Sequence, residues 1–438
     1  MTQTVMGFKL ERSEEEITPY GGLGLYGELY KAVGVEKGVR REMPVPGSGA
    51  GYEANSYVLS AVMMLIAGGR RLEDIRKVKM DRALRRITGI KEVPSADAIG
   101  DWLRRNSGKK IKCLKKLHEM LSKKVIVHAE EKEFTLDIDA TEIVAEKYES
   151  KMDYKGNKGY MPILGFLAEL DWCIGYEFRE GNESPGSRNK EFALGIIKRM
   201  KKLGKKIGGF RSDSAAYQAE LMNELNREGI RYGIPVDQDA AVKGEIARIP
   251  ANQWKAFMDK DGIKTDRETA EFIHSMNKSD HSFRVVVQRW KNPQRDLFEE
   301  AAEYCYHGIA SNELEEEQKS EAVIVWHNAR ARSENYNKEL KTGFRMESMP
   351  CGEFEANAVW FGIGMLAYDL FVMSKLYLLP KSWWKKTIGT VRWQLIELAG
   401  KVVRSSRQIL LKICGVSEEI FEIYMATRRK CWELKTTL

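Results

Sequence analysis

From Glu133 the chain reads EFTLDIDATEIV, and apolar and polar residues alternate strictly through Asp139. A period of two puts Phe134, Leu136 and Ile138 on one face and Thr135, Asp137 and Asp139 on the other, which is a β-strand pattern. The next hundred residues narrow the fold. YMPILGFLAEL and WCIGYEFRE read as two further strands joined by a short turn. NKEFALGIIKRMKKLG reads as an amphipathic helix with a glycine stop, and KIGGFRSDSAAY as a strand ending at Asp213. AAYQAELMNELNREG is a helix stopped by Gly229, and IRYGIPVD is one more strand. Three strands followed by helix, strand, helix and strand specify a mixed α/β sheet.

The flanks differ from this core. Residues 1–130 read as helical: YVLSAVMMLIAGG is apolar, and PSADAIGDWLRRNS opens on a Pro-Ser cap signal. GKKIKCLKKLHEMLSKK sets Ile111, Leu114, Leu117 and Leu121 against seven lysines. Such a face is either simply solvated or placed against a phosphate backbone. Residues 241–314 turn irregular and β-rich, with HSFRVVVQRW and EYCYHGIAS as strands. The stretch ELEEEQKSEAVIVWHNARARSENYNKELKTGF reads as one long helix. Residues 353–438 read as helical, apolar at first and then basic, KVVRSSRQILLK included.

Composition bounds the rest. In 438 residues, 43% are hydrophobic, enough for a sizeable core in two or three domains. The net charge of +8 favours nucleic acid only weakly. Six scattered cysteines with no ligand spacing argue against zinc and for a reducing compartment, hence the cytoplasm. MTQTVMGFKLERSEEE carries no secretory pattern. AVWFGIGMLAYDLFVMSKLYLLP is apolar but holds Asp369 and Lys375, so a buried helix is the better reading than a membrane span.

On the long helix four polar residues stand at uneven intervals: His327, Arg330, Glu334 and Lys341. At about 100° per residue, Glu334 falls near 40°, Lys341 near 20° and His327 near 60° from Arg330. One face therefore carries all four. Upstream, Asp139 and Asp213 end strands, where the groups of an α/β sheet converge. Two such aspartates and a helix-borne glutamate can hold two Mg²⁺ ions beside a phosphodiester. Arg330 and Lys341 would then bind phosphates.

LDIDAT, FRSDSAAY and HNARARSENYNKELK resemble the three acidic motifs of bacterial insertion-sequence DDE transposases, in the right order. The resembling branch has the helix signature Y-x2-R-x3-E-x6-K. Arg330, Glu334 and Lys341 fit it, while His327 replaces the tyrosine. GYMPILGFLAEL and REGNESPG are similar to the segment between the first two acids, and the resemblance spans roughly residues 20–410. It implies a ribonuclease-H-like core over 131–240 and 315–352, interrupted by a β-rich insertion over 241–314. It further implies Mg²⁺ or Mn²⁺ on Asp139, Asp213 and Glu334, and DNA contacts from His327, Arg330, Lys341, Lys338 and Trp290. Its expected partners are double-stranded DNA, namely terminal inverted repeats bound by the helical N-terminal region and target DNA, and a second copy of the chain.

Several residues have competing readings. Asp137 shares a face with Asp139 and is either a ligand, a support or solvated. Asp237 and Asp239 follow a strand and read as loop acids, with metal contact as the alternative. Trp290, and less so Trp254, would stack on a flipped base in such enzymes; otherwise they pack the insertion. The basic aromatic clusters at Trp383–Lys386 and Arg428–Trp432 contact DNA or form a basic rim. A catalytically silent DNA-binding relative and a plain nuclease are the alternative functions.

Overall fold

The computed structural model describes residues 8–47, 51–293, 302–405 and 408–437. Residues 1–7, 48–50, 406–407 and 438, expected in the helical flanks, and 294–301, expected in the insertion, lie outside the described residues. The chain divides into two compact units. One is Lys115–Thr342 with Cys351–Phe361; the other is Met1–Leu114, Gly343–Pro350 and Gly362–Leu438.

The first unit is built on a nine-stranded mixed sheet. In chain order its strands are β1 (Glu133–Ala140), β2 (Ile163–Leu167), β3 (Trp172–Glu177), β4 (Lys206–Arg211) and β5 (Arg231–Pro235). They continue with β6 (Lys255–Met258), β7 (Lys264–His274), β8 (Phe283–Lys291) and β9 (Tyr304–Ser311). Across the sheet the order is β6-β7-β8-β9-β5-β4-β1-β2-β3. β1 and β5 both run parallel to β4 between them. Parallel neighbours need a crossover. Helices α1 (Asn189–Lys202) and α2 (Ala219–Arg227) precede and follow β4 in the chain and supply it. Phe134 through Ile138 are all buried, so β1 is covered on both faces although its sequence alternates.

The β-rich segment 241–314 opens with helix α3 (Ala240–Arg248). Its four strands form no sheet of their own. β9 pairs antiparallel with β5, Ala310 opposite Ile234, and thereby extends the core sheet.

The sequence predicts one long helix over Glu313–Phe344; two short ones are found. The acidic run at its start turns instead, because ELEEEQ offers no apolar stripe to pack and an unpacked short helix is marginal in water. α4 covers Ser320–Asn328 and α5 covers Ala331–Lys338, with a wider π turn over Glu339–Gly343. Between α4 and α5 the amides of Arg330 and Ser333 bond back to His327 and Arg330, the tight three-residue spacing that breaks the axis. α4 lies on the sheet through Val323 and Ile324, which pack with Phe257, Val286 and Ile309. Its Trp326 rests where two strands carry glycine. A Cβ at Gly209 would stand 2.8 Å from the indole, and one at Gly233 3.1 Å. The guanidinium groups of Arg231 and Arg211 lie 4.5 and 5.4 Å from the same ring.

The second unit is mainly helical. Leu23–Ala32 has its glycines against neighbours: a Cβ at Gly27 would meet the Thr88 backbone at 2.9 Å. Asp81 and Ser95 cap the helices that follow them, the second as its Pro-Ser signal indicates. The residues 353–438 are not helical throughout. Gly400–Ser405 and Gln408–Ile413 form a hairpin with Val403 opposite Leu410, and Ile17–Thr18 adds a third strand. The β-branched pair Val402–Val403 and the remote partner strand outweigh the helical reading of KVVRSSRQILLK. Lys110 also departs from expectation. It is buried rather than solvated, donating to the carbonyls of Trp102 and Arg105 with the Trp102 ring 4.5 Å away.

Among the described residues, one element, Phe354–Leu378, is long and apolar enough to cross a membrane. Its most apolar window is wholly buried inside the protein, as a core helix would be.

Candidate active site

Parallel pairing sets Asp137 of β1 opposite Arg211 of β4. Two residues further along each chain, Asp139 and Asp213 emerge together at one sheet edge. The register is pinned by Ser212, whose Oγ donates to the Ile138 carbonyl at 3.0 Å. Asp213 lies just past its strand and caps the turn Ser214–Ala216, accepting from the Ala215 amide at 3.1 Å.

α5 brings the third acid. Arg330 at its N-terminal end is the link: Nη1 stands 3.6 Å from Asp139 Oδ1 and Nη2 3.7 Å from Glu334 Oε1. The fork of one guanidinium spans both, so the Asp139 and Glu334 oxygens lie within about a nanometre of each other. Glu334 itself is 67% exposed, whereas Asp139 is 16% exposed.

The electrostatics register the same gathering. Burial pushes the Asp139 carboxyl up to about 6, Arg330 works against it, and the charges of Asp213 and Glu334 add to the rise. Like charges near one carboxylate disfavour its ionised form, so Asp139 senses both of the other acids.

Around this centre the remaining residues take defined places. Lys341 donates from Nζ to the Glu142 carbonyl at 2.6 Å and reaches Thr141 Oγ1 at 3.5 Å, just beyond Asp139 in the chain. His327 is buried, with Nε2 3.3 Å from the Ser212 carbonyl and its ring 6.2 Å from that of His307. Burial lowers its pKa to about 4, so the ring is neutral where it meets the Ser212 carbonyl. Lys338 is exposed.

Asp137 is neither solvated nor at the edge. It is fully buried and takes two hydrogen bonds from Arg211, at 2.7 and 2.8 Å. Asp239 caps α3, accepting from the Val242 amide at 2.9 Å. Asp237 is exposed; burial raises its carboxyl, and the charge of Asp213 contributes, so it lies within that residue's field. Trp290 pairs across from Cys305, two residues from His307 on the same strand, which puts it on the sheet face that carries His327. Arg267 covers its ring at 4.7 Å, so base stacking on that side would displace this guanidinium. Trp254 is buried with Arg289 4.1 Å from its ring, as a packing residue would be. Trp383 is buried beside Lys386, whereas Trp384 is 40% and Trp432 70% exposed.

Sequence reasoning passes over Asn337. It is buried on the inward stripe of α5 with Ser333, and its amide donates to Asp139 Oδ2. The signal that could have found it is a polar pair at i and i+4 flanking the signature glutamate.

The donor set suits a hard divalent cation: three carboxylates, oxygen only. Among the described residues, no group of three or more His, Cys, Asp or Glu stands close enough together to hold a metal ion. Arg330 occupies the space between Asp139 and Glu334 and supplies the positive charge there.

No curated protein matches this chain. A cryo-EM structure of a piggyBac transposase synaptic complex with hairpin DNA aligns at 10% identity and a TM-score of 0.41, covering 97% of this chain and 85% of that one. The family model described as Transposase DDE domain group 1 matches residues 8–429. The chain therefore belongs to the group 1 DDE-domain transposases, metal-dependent enzymes that cut and transfer DNA.

Proposed function

We propose that this enzyme cuts at the ends of its own insertion sequence, in a bacterial cytoplasm, and transfers the freed 3′-hydroxyl to a phosphodiester. The observation that carries the reading is the Arg330 fork, which brings the helix-borne Glu334 to the strand-end Asp139. Asp139, Asp213 and Glu334 would hold Mg²⁺ or Mn²⁺, two ions in the full centre. When bound, such cations polarise the phosphodiester and lower the pKa of the attacking hydroxyl.

The chain's own residues do the rest. Arg330, released from the carboxylates, grips a phosphate in bidentate fashion. Lys341 and the exposed Lys338 hold the strand beside it. Trp290 stacks on a displaced base once Arg267 moves aside. The helical N-terminal region binds the terminal inverted repeats, and two copies pair the two DNA ends.

Incubation with the DNA flanking its own gene and Mg²⁺, read on a denaturing gel, tests the proposal. Nicked strands or double-length hairpins are expected, which also separates the two pathways. Asp213→Asn should abolish both while end binding persists. Cleavage retained by Asp213→Asn would remove that residue from the centre. A silent DNA-binding relative would give no product, and a plain nuclease would cut without preference for the ends.

A further inference from the structure

Asn337 belongs to no part of the family signature: it lies between Glu334 and Lys341, at a position the motif leaves open. Its place in the fold is nevertheless specific. The residue is 5% exposed, its Nδ2 donates to Oδ2 of Asp139, and its Oδ1 is buried with no hydrogen-bond donor. An amide in that setting is costly. A leucine there would fill similar space without an unpaired oxygen, so packing alone does not account for asparagine.

We infer that Asn337 is a positioning residue of the acidic centre, which fixes the Asp139 carboxylate in the orientation that receives a divalent cation. This rests on the assignment of Asp139 as a metal ligand. The physical argument is one of rotation and charge. The terminal torsion of an aspartate is broad, so an untethered carboxylate turns freely about it. Asp139 has one oxygen, Oδ1, on the side of Arg330 and Glu334. The bond from Asn337 takes up the other oxygen, Oδ2, and stops the rotation. A lysine or arginine in its place would do the same but cancel the negative charge that attracts the cation. A neutral amide holds the ligand and leaves its charge intact. Partners of this kind behind metal-binding carboxylates are worth about 10- to 100-fold in metal affinity.

The orientation of the amide is set by the same contact. With Oδ1 turned toward the carboxylate, two acceptors would face each other; with Nδ2 there, a donor meets an acceptor.

The test is Mn²⁺ titrated calorimetrically into the full chain, in the wild type and in Asn337→Leu, Asn337→Ala and Asp139→Asn. For Asn337→Leu the Mn²⁺ affinity should fall about tenfold, with the circular-dichroism spectrum and end-DNA binding in EDTA unchanged. Asn337→Ala, which asks for less space, gives the same readout should the leucine fail to fold. A residue that merely packs α5 would shift thermal stability and leave the isotherm where it is. Unchanged Mn²⁺ affinity in the Asn337 variants, together with lost binding in Asp139→Asn, overturns this inference alone. Unchanged affinity in Asp139→Asn as well overturns the metal-centre reading beneath it.

Discussion

Arg211 and Asp137 form a buried, two-bonded ion pair between neighbouring strands, Nε to Oδ1 at 2.7 Å and Nη2 to Oδ2 at 2.8 Å. The remaining Nη1 of Arg211 donates to the Trp326 carbonyl on α4 at 2.6 Å. One side chain therefore ties together the three segments that deliver the acids: β1 with Asp139, β4 with Asp213, and the helix leading to Glu334. Asp137 itself is buried two residues before Asp139, held by Arg211 and away from the sheet edge.

Removing one partner of such a pair leaves an uncompensated charge in the interior. Asp137→Ala should cost about 3–5 kcal/mol of stability, measured by chemical denaturation of the full chain. Replacing both, Asp137→Leu with Arg211→Met, should recover much of that loss. A single variant as stable as the wild type would mean that the pair is idle.

Arg330 stands where a cation's charge is needed, between Asp139 and Glu334. Arg330→Gln should therefore lower the melting temperature of the metal-free protein and enlarge the rise that Mn²⁺ produces, because binding to the folded state alone stabilises it. Cleavage should fall at least about tenfold from the lost phosphate contact. Equal Mn²⁺-induced shifts in the variant and the wild type would show that the guanidinium does not stand in for the ion.

The pH dependence has a definite sign. Asp139 is raised from 3.8 to about 6, by burial first and then by its acidic neighbours. Mn²⁺ must displace its proton below that value, so affinity should drop up to tenfold per unit as the pH falls below about 6. A calorimetric series from pH 5 to pH 8, roughly bracketing that value, checks it. Global stability is the wrong readout. A carboxyl with a raised folded pKa destabilises the native state as the pH climbs from 3.8 to about 6. His327, lowered from 6.5 to about 4, destabilises it as the pH falls through nearly the same window. The two slopes oppose each other. A flat affinity across pH 5 to 7, roughly one unit to either side, would take Asp139 out of the metal set.

Lys341 holds the backbone just beyond Asp139 and, in the proposed complex, a phosphate. Lys341→Ala should weaken end binding and reduce the log–log salt slope by about one. A slope identical to the wild type would confine the residue to its bond with Glu142.

The core of this protein is legible in one dimension. Alternation from Phe134 to Ile138 and the glycine stops at Gly204 and Gly229 place the central strands and their helices, because these signals act over a few residues. The acids and Arg330 can be found by spacing for the same reason. KVVRSSRQILLK misleads because its two halves pair with each other as antiparallel strands, and Ile17–Thr18, near the other end of the chain, adds a third strand to them. The straight helix misleads because the backbone between α4 and α5 tightens to three-residue spacing, which the residue pattern does not announce.

Residue type and order thus determined the central strands and helices and which acidic and basic side chains are candidates for the chemistry. Tertiary structure alone decided that Asp137 is buried against Arg211, that His327 is buried and neutral, that Arg330 spans two carboxylates, and that Asn337 reaches Asp139. Those roles depend on distances between segments remote in sequence, and no local pattern encodes such distances.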